Sequence, residues 1–158
     1  MAIENQDIPP CNIRVDKDGV WYYNGAEMFR KEIVNLFYEN LRRDDSGRYI
    51  IEMANDCCYI EVEDVPFVVK TVLRSHNGES DRIELLLNNS DLDLLDPNSL
   101  RVGDGNVLYC SVKNGAFEAR FSRASYYQIA EYAEYDHETD SYYIALNNQK
   151  YYLRESRL

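Results

Sequence analysis

The chain has 158 residues, 45% of them apolar, and a formal net charge of −11; that is enough for one domain, or for two small joined ones. The excess of carboxylates excludes binding to a phosphate backbone, which needs a field of lysine and arginine, so neither DNA nor RNA is an expected partner. The opening Met-Ala-Ile-Glu-Asn-Gln-Asp lacks the basic and apolar regions of a signal peptide, and no apolar run approaches a membrane span; a cytoplasmic protein without a membrane partner is expected.

Residues 1–12 carry Pro9-Pro10 and read as an irregular lead-in. Ile13 to Asp16 is a short strand ending at the Asp18-Gly19 turn. Val20 to Tyr23 and Ala26 to Phe29 flank Asn24-Gly25, the pair that supplies both positive-φ positions of a tight hairpin turn. From Arg30 to about Arg43 the period becomes helical, with Ile33, Phe37 and Leu41 on one stripe. Two strands follow, Tyr49 to Met53 and Cys57 to Val62, and then a hairpin from Phe67 to Leu87 that turns at His76-Asn-Gly78. The polar stretch 89–104 reads as a connector; its Asp91-x-Asp93-x-x-Asp96 lacks the glycine and closing glutamate of a calcium loop.

The last third repeats the first. A hairpin turning at Asn114-Gly115 precedes a helix from about Tyr126 to Tyr135, introduced by a Ser125-x-x-Gln128 capping box, and two closing strands. Sliding the chain by 93 residues lays Arg123 on Arg30, Tyr142 on Tyr49 and Tyr152 on Tyr59, which suggests a duplicated hairpin–helix–strand unit. The expected fold is α+β, with two ββαββ-like halves and mostly antiparallel sheets. The N-terminal half spans 13–88 and includes the 65–88 hairpin, the connector 89–104, and the C-terminal half 105–158.

Chemistry concentrates at Tyr59-Ile-Glu-Val-Glu-Asp-Val-Pro-Phe67. Strand alternation puts Tyr59, Glu61 and Glu63 on one face, and Asp64 follows beside a Pro-Phe corner. Like charge gathered at a strand end needs a cationic partner. Arg30 and Arg123, each at the mouth of a helix, are the candidates. Either they pair with the Glu61–Asp64 cluster and lock the halves together, or guanidinium and free helix N–H groups form an anion pocket. Arg120 shares a strand face with Glu118 and Ser122. Glu61 and Glu63 lack a nucleophile or third ligand, so no catalytic residue, metal or cofactor is assigned and no enzyme is expected. Cys11, Cys57, Cys58 and Cys110 show no CxxC spacing and no nearby histidine, so zinc is not expected; Cys57 and Cys58, side by side on a strand, read as small core residues in a reducing compartment, with a redox sensor as the sharper alternative.

Trp21 with Gly25, Arg30 with Ile33-Val-Asn-Leu-Phe37 and Leu41, Gly47-Arg-Tyr49 and Ile60-Glu-Val-Glu-Asp-Val-Pro-Phe67 resemble the bacterial domain-of-unknown-function family 1285. Tyr109 ahead of Gly115, Phe117-Glu-Ala-Arg120 and Arg123 extend the resemblance over nearly the whole chain from residue 13. Where the family has a Thr-Pro-x-Glu stretch, this chain reads Glu52-Met-Ala-Asn-Asp56. The resemblance implies a duplicated α+β core whose C-terminal half is like pleckstrin-homology folds. It also implies a signalling role through a small, nucleotide-like ligand held between the halves. Arg30, Glu61, Glu63, Asp64, Phe67, Arg120 and Arg123 are the residues expected at that site; the rival expectations are a protein-interaction module without a small-molecule site and, third, a metal-dependent enzyme.

Overall fold

The computed structural model describes residues 8–78 and 80–155, apart from the side chain of Asn77. The chain divides into two compact units, one ending at Asp64 and one beginning at Val65.

The first unit contains β1 (Pro10–Val15), β2 (Trp21–Tyr23), β3 (Ala26–Glu27), α1 (Lys31–Glu39), β4 (Leu41–Arg43), β5 (Tyr49–Met53) and β6 (Asp56–Val62). Its sheet runs β3-β2-β1-β6-β5-β4, with β1 and β6 parallel and the other neighbours antiparallel. The β2–β3 turn has Asn24 at φ 50° and Gly25 at φ 83°, the conformation the Asn-Gly pair predicts. Alternation sends Ile13, Val15 and Trp21 inward, and Tyr38 of α1 closes over the indole at 4.8 Å between ring centroids. Trp21 Nε1 is buried without a hydrogen-bond partner, so this indole is held by packing alone.

The helix is shorter than its periodicity predicts. Asn40 ends α1 by donating its backbone N–H to the Phe37 and Tyr38 carbonyls and its side-chain amide to Leu36 O at 2.9 Å. Leu41 does enter the core, but as the first residue of β4, opposite Ile51. An apolar residue four places after another satisfies both a helical stripe and a strand start, and β5 supplies the ladder that decides between them.

The second unit contains β7 (Phe67–Asn77), β8 (Ser80–Leu87), β9 (Leu92–Leu94), β10 (Arg101–Val102), β11 (Leu108–Val112), β12 (Phe117–Phe121), α2 (Arg123–Ala130), β13 (Ala133–Asp136), β14 (Ser141–Leu146), β15 (Gln149–Tyr152) and β16 (Arg154–Glu155). A seven-stranded sheet runs β16-β10-β11-β12-β7-β8-β9, and β13-β14-β15 form a separate antiparallel meander. Two expected boundaries are corrected here. The 65–88 hairpin belongs to the second unit, because β7 pairs in parallel with β12, Phe67 opposite Ala119. The stretch 89–104 is no connector: β9 and β10 pair with β8 and β11, and Leu95 and Leu100 are buried. Two of its aspartates accept from backbone N–H groups. Asp93 accepts the Lys113 N–H at 2.6 Å, and Asp96 accepts from Asn98 N at 3.1 Å.

Helix α2 also starts earlier than expected. Ser122, not Ser125, is its N-cap, its Oγ accepting the Ser125 N–H at 3.2 Å. Ser125 is fully buried and donates its hydroxyl to Val69 O at 2.8 Å, while Gln128 Oε1 accepts the Val72 N–H at 2.7 Å. Between those two bonds the β7–β8 register shifts. The pairing of β7 with β12 ends at Val69, whose carbonyl also accepts the Ser122 N–H at 3.1 Å, and Gln128 takes up the Val72 N–H beyond that end.

The α+β expectation stands. Both units contain a hairpin, a helix opening at an arginine, and a three-stranded meander: β4-β5-β6 in one, β13-β14-β15 in the other. They differ in what the meander joins. In the first unit it is continuous with the hairpin through β1 and β6; in the second, β7 takes the place beside β12.

Candidate functional site

The expected acidic corner is divided among local duties. Glu61 lies on the exposed face of β6, in register with Arg14 of β1. Glu63 accepts the Lys17 backbone N–H at 3.1 Å, and its own N–H donates to Val15 O at 2.9 Å, so it pins the turn after β1. Asp64 is half-buried and closes the first unit. Phe67 is fully buried, its ring 5.6 Å from that of Phe117, with Lys113 Nζ 5.8 Å above it. It is a core residue of the second unit and offers no open face to a ligand.

Within the first unit, Arg30 pairs locally and not with that corner. Arg30 is the N-terminal boundary residue of α1, and its Nε stands 3.7 Å from Glu32 Oε1, with both side chains about three-quarters exposed. Arg123 is the exposed first residue of α2. Arg120, half-buried on β12, lies between Tyr109 and Val68 in register. Glu118 has a different partner from the one its strand suggests: Arg101, which bonds it through Nε and Nη2 at 2.9 and 3.0 Å while stacking on Tyr109. Arg101 lies in the stretch read as a connector, which is why the sequence hides that fork.

Two clefts open in the first unit, separated by strand alternation. One, of about 280 Å³, lies beside the exposed face of the β2–β1–β6 region and holds Arg14, Tyr22, Tyr59 and Glu61. The Arg14 guanidinium lies 4.3 Å from the centre of the Tyr22 ring, and Tyr22 donates its hydroxyl to Asp16 at 3.2 Å. Burial, then the Asp16 carboxylate, raises the Tyr22 phenol above its ordinary value.

The other cleft is larger, about 550 Å³, and its walls are mainly apolar. Cys11, Ile13 and Cys58 come from the inward face of the sheet, Ile33 and Phe37 from α1, and Tyr23, Met28 and Phe29 from the hairpin and the segment after it. Arg30 and Glu27 supply the charge at its edge. Phe29 is 78% exposed and Tyr23 50%, so aromatic surface faces solvent at the rim. α1 begins beside it without a side-chain cap, which leaves its N-terminal end electropositive. Of the expected site residues, only Arg30 is here. Met28 and Phe29 were legible as a hairpin arm; their role at a rim needed the two-residue length of β3, after which the chain leaves the sheet.

The cysteines correct the expectation of a thiol-only chain. Cys11 and Cys58 form a disulfide between the parallel strands β1 and β6, with Cα atoms 5.1 Å apart. Cys57 and Cys110 are free, and burial pushes both thiols up in pKa. Among the described residues, no group of three or more His, Cys, Asp or Glu side chains is placed to hold a metal ion. No described helix is long and apolar enough to cross a membrane.

Comparison with known proteins agrees with this architecture. The chain superposes on a DUF1285 family protein from Silicibacter pomeroyi DSS-3 with a TM-score of 0.75 and 22% identity, over 97% of this chain and 86% of that one. A DUF1285 family protein from Shewanella baltica OS155 gives a TM-score of 0.65 and 20% identity, over 77% of this chain and 91% of that one. These likenesses establish the fold and no activity. No curated protein matches the chain. Residues 5–65 match the family model described as "Domain of unknown function (DUF1285), N-terminal domain", so the resemblance read from the motifs is borne out over the first unit.

Proposed function

We propose that this chain is a non-enzymatic domain that binds a small anionic ligand with a flat apolar body, and that its site is the apolar cleft of the first unit. The carrying observation is the combination of a concave apolar wall of ligand size with Arg30 and the uncapped start of α1 at its edge. Small-molecule sites are typically concave, largely apolar and equipped with a few convergent polar groups. An aromatic body would lie against Ile33, Phe37 and Met28, and a phosphate, sulfonate or carboxylate would meet the Arg30 guanidinium, with the first-turn N–H groups of α1 nearby. Nucleoside monophosphates fall within this class. Glu27 at the same edge disfavours polyanions.

The test is a fluorescence titration with anilinonaphthalene sulfonate, followed by competition with nucleoside monophosphates. Ala26 is an exposed residue of β3 that lines the cleft, so Ala26→Trp fills it and should abolish probe binding. Arg30→Ala should weaken binding about fivefold, corresponding to an exposed charge–charge contact near 1 kcal/mol, without altering stability. Unchanged titrations in both variants would remove the cleft from consideration. The exposed Phe29 ring favours a second occupant, an apolar side chain of a peptide; Phe29→Ser would then impair partner capture while nucleotides fail to compete.

A further inference from the structure

The disulfide and the cleft share an origin in β1. Pro10 pairs with Tyr59 and Arg14 with Glu61, so β1 advances four residues while β6 advances two. The surplus is taken up over Cys11, Asn12 and Ile13, where Asn12 adopts φ 62°. Bulges are rare between parallel strands and interrupt the ladder that would otherwise hold both chains. Here three ties hold the segment around it. Tyr59 N–H donates to Pro9 O and Asn24 N–H to Asn12 O, each at 2.9 Å, and the Cys11–Cys58 bond closes the bulge covalently. Both bonded cysteines are half-buried and line the apolar cleft, so the bond is reachable from the space that it walls.

We infer that Cys11–Cys58 is a thiol-exchange site that latches the cleft, and that a dithiol reductant opens it. One thiolate of the reductant attacks a sulfur of the bond and displaces the other cysteine as a thiolate. Its second thiol then displaces the first cysteine. The protein S–S bond breaks, one S–S bond forms in the reductant, two electrons pass to the protein, and the two protons of the dithiol end on Cys11 and Cys58. The released Pro10–Asn12 segment then opens locally, because an interrupted ladder protects it less than the continuous β5–β6 pairing protects its neighbour. Cys57 is excluded from the exchange by geometry, since adjacent residues on β6 point to opposite faces. The functional consequence rests on the ligand reading above: the closed form presents the complete cleft and the open form lacks its Cys11 wall.

The experiment uses the full chain in oxidised and dithiothreitol-reduced form. Alkylation in denaturant should count two thiols before reduction, Cys57 and Cys110, and four after it. Hydrogen exchange over residues 10–13 should accelerate on reduction while β5 stays protected, and anilinonaphthalene sulfonate affinity should fall about tenfold, the loss of roughly one pocket wall. Cys11→Ser/Cys58→Ser should reproduce the reduced state and Cys57→Ser should not. Four thiols in the air-oxidised protein, unchanged exchange at 10–13, affinity preserved within about twofold, or collapse of the Trp21 emission that reports the whole unit would each overturn the latch. If exchange accelerates but Ala26→Trp leaves probe binding intact, the ligand site is refuted and the latch as a structural device is not.

Discussion

Replacing Gln128 with methionine tests how the second unit manages the end of the β7–β12 pairing. The two side chains have similar length and flexibility, so packing is nearly conserved, but the acceptor 2.7 Å from the Val72 N–H is lost. Val72 is only 7% exposed, and water has little access to replace the acceptor. An orphaned buried donor costs about 1–3 kcal/mol. Near the middle of that range, ~2 kcal/mol, the melting temperature of a unit this size falls by about 10 °C, and opening around the Val72 amide becomes roughly 30-fold more populated. Native-state hydrogen exchange reads the second quantity at the affected group and a calorimetric scan reads the first. Gln128→Glu is the control, because a carboxylate at neutral pH accepts the same bond. If Gln128→Met exchanges at Val72 as slowly as the parent, or if Gln128→Glu is as damaged as Gln128→Met, the account of α2 as the acceptor beyond the end of that pairing is wrong.

Phe67→Ala should cost about 4 kcal/mol in urea denaturation and Phe67→Leu about 1–2 kcal/mol; an alanine variant as stable as the parent would return Phe67 to the list of surface contacts. Asp44 gives a pH signature. Burial raises its pKa, but this is outweighed by donation from Arg48 N, Ser46 Oγ, Arg48 Nε and Ser46 N, which holds the carboxyl at about 2. Because the folded-state value lies below the unfolded one, its stabilisation is complete above about pH 4 and disappears as pH falls through about 2. Acid unfolding of Asp44→Asn, followed by Trp21 emission, should lack that part of the slope, and an unchanged slope would refute the assignment.

Much of the architecture was legible because each hairpin carries its own turn chemistry. Asn24-Gly25 and Asn114-Gly115 both adopt positive φ at their two positions, and such turns need no distant partner to form. The alternation at 59–63 likewise placed Ile60 inside and Glu61 outside. What escaped reading depends on strands distant in sequence. The assignment of the 65–88 hairpin turns on β12 accepting β7 as a parallel neighbour, and nothing in residues 67–69 announces that pairing. The candidate site fared worse for the same reason. Charge clustering drew notice to Glu61–Asp64, whereas the cleft is built from apolar residues that resemble ordinary core until the short β3 and the β1 bulge expose them. Cys11 and Cys58 are separated by 47 residues, and only the β1–β6 seam brings them together.

That seam also dictates an order of assembly. The hairpin from Trp21 to Glu27 and the meander from Leu41 to Val62 are each built from neighbouring segments, and local contacts of this kind form quickly. Their union waits on the parallel contact between the first strand of the unit and the last, from Arg14 to Glu61 and from Val15 to Val62. During synthesis the first sheet therefore remains two unjoined fragments until the ribosome has released the end of β6, and loop closure over that distance is the slow event in folding the unit.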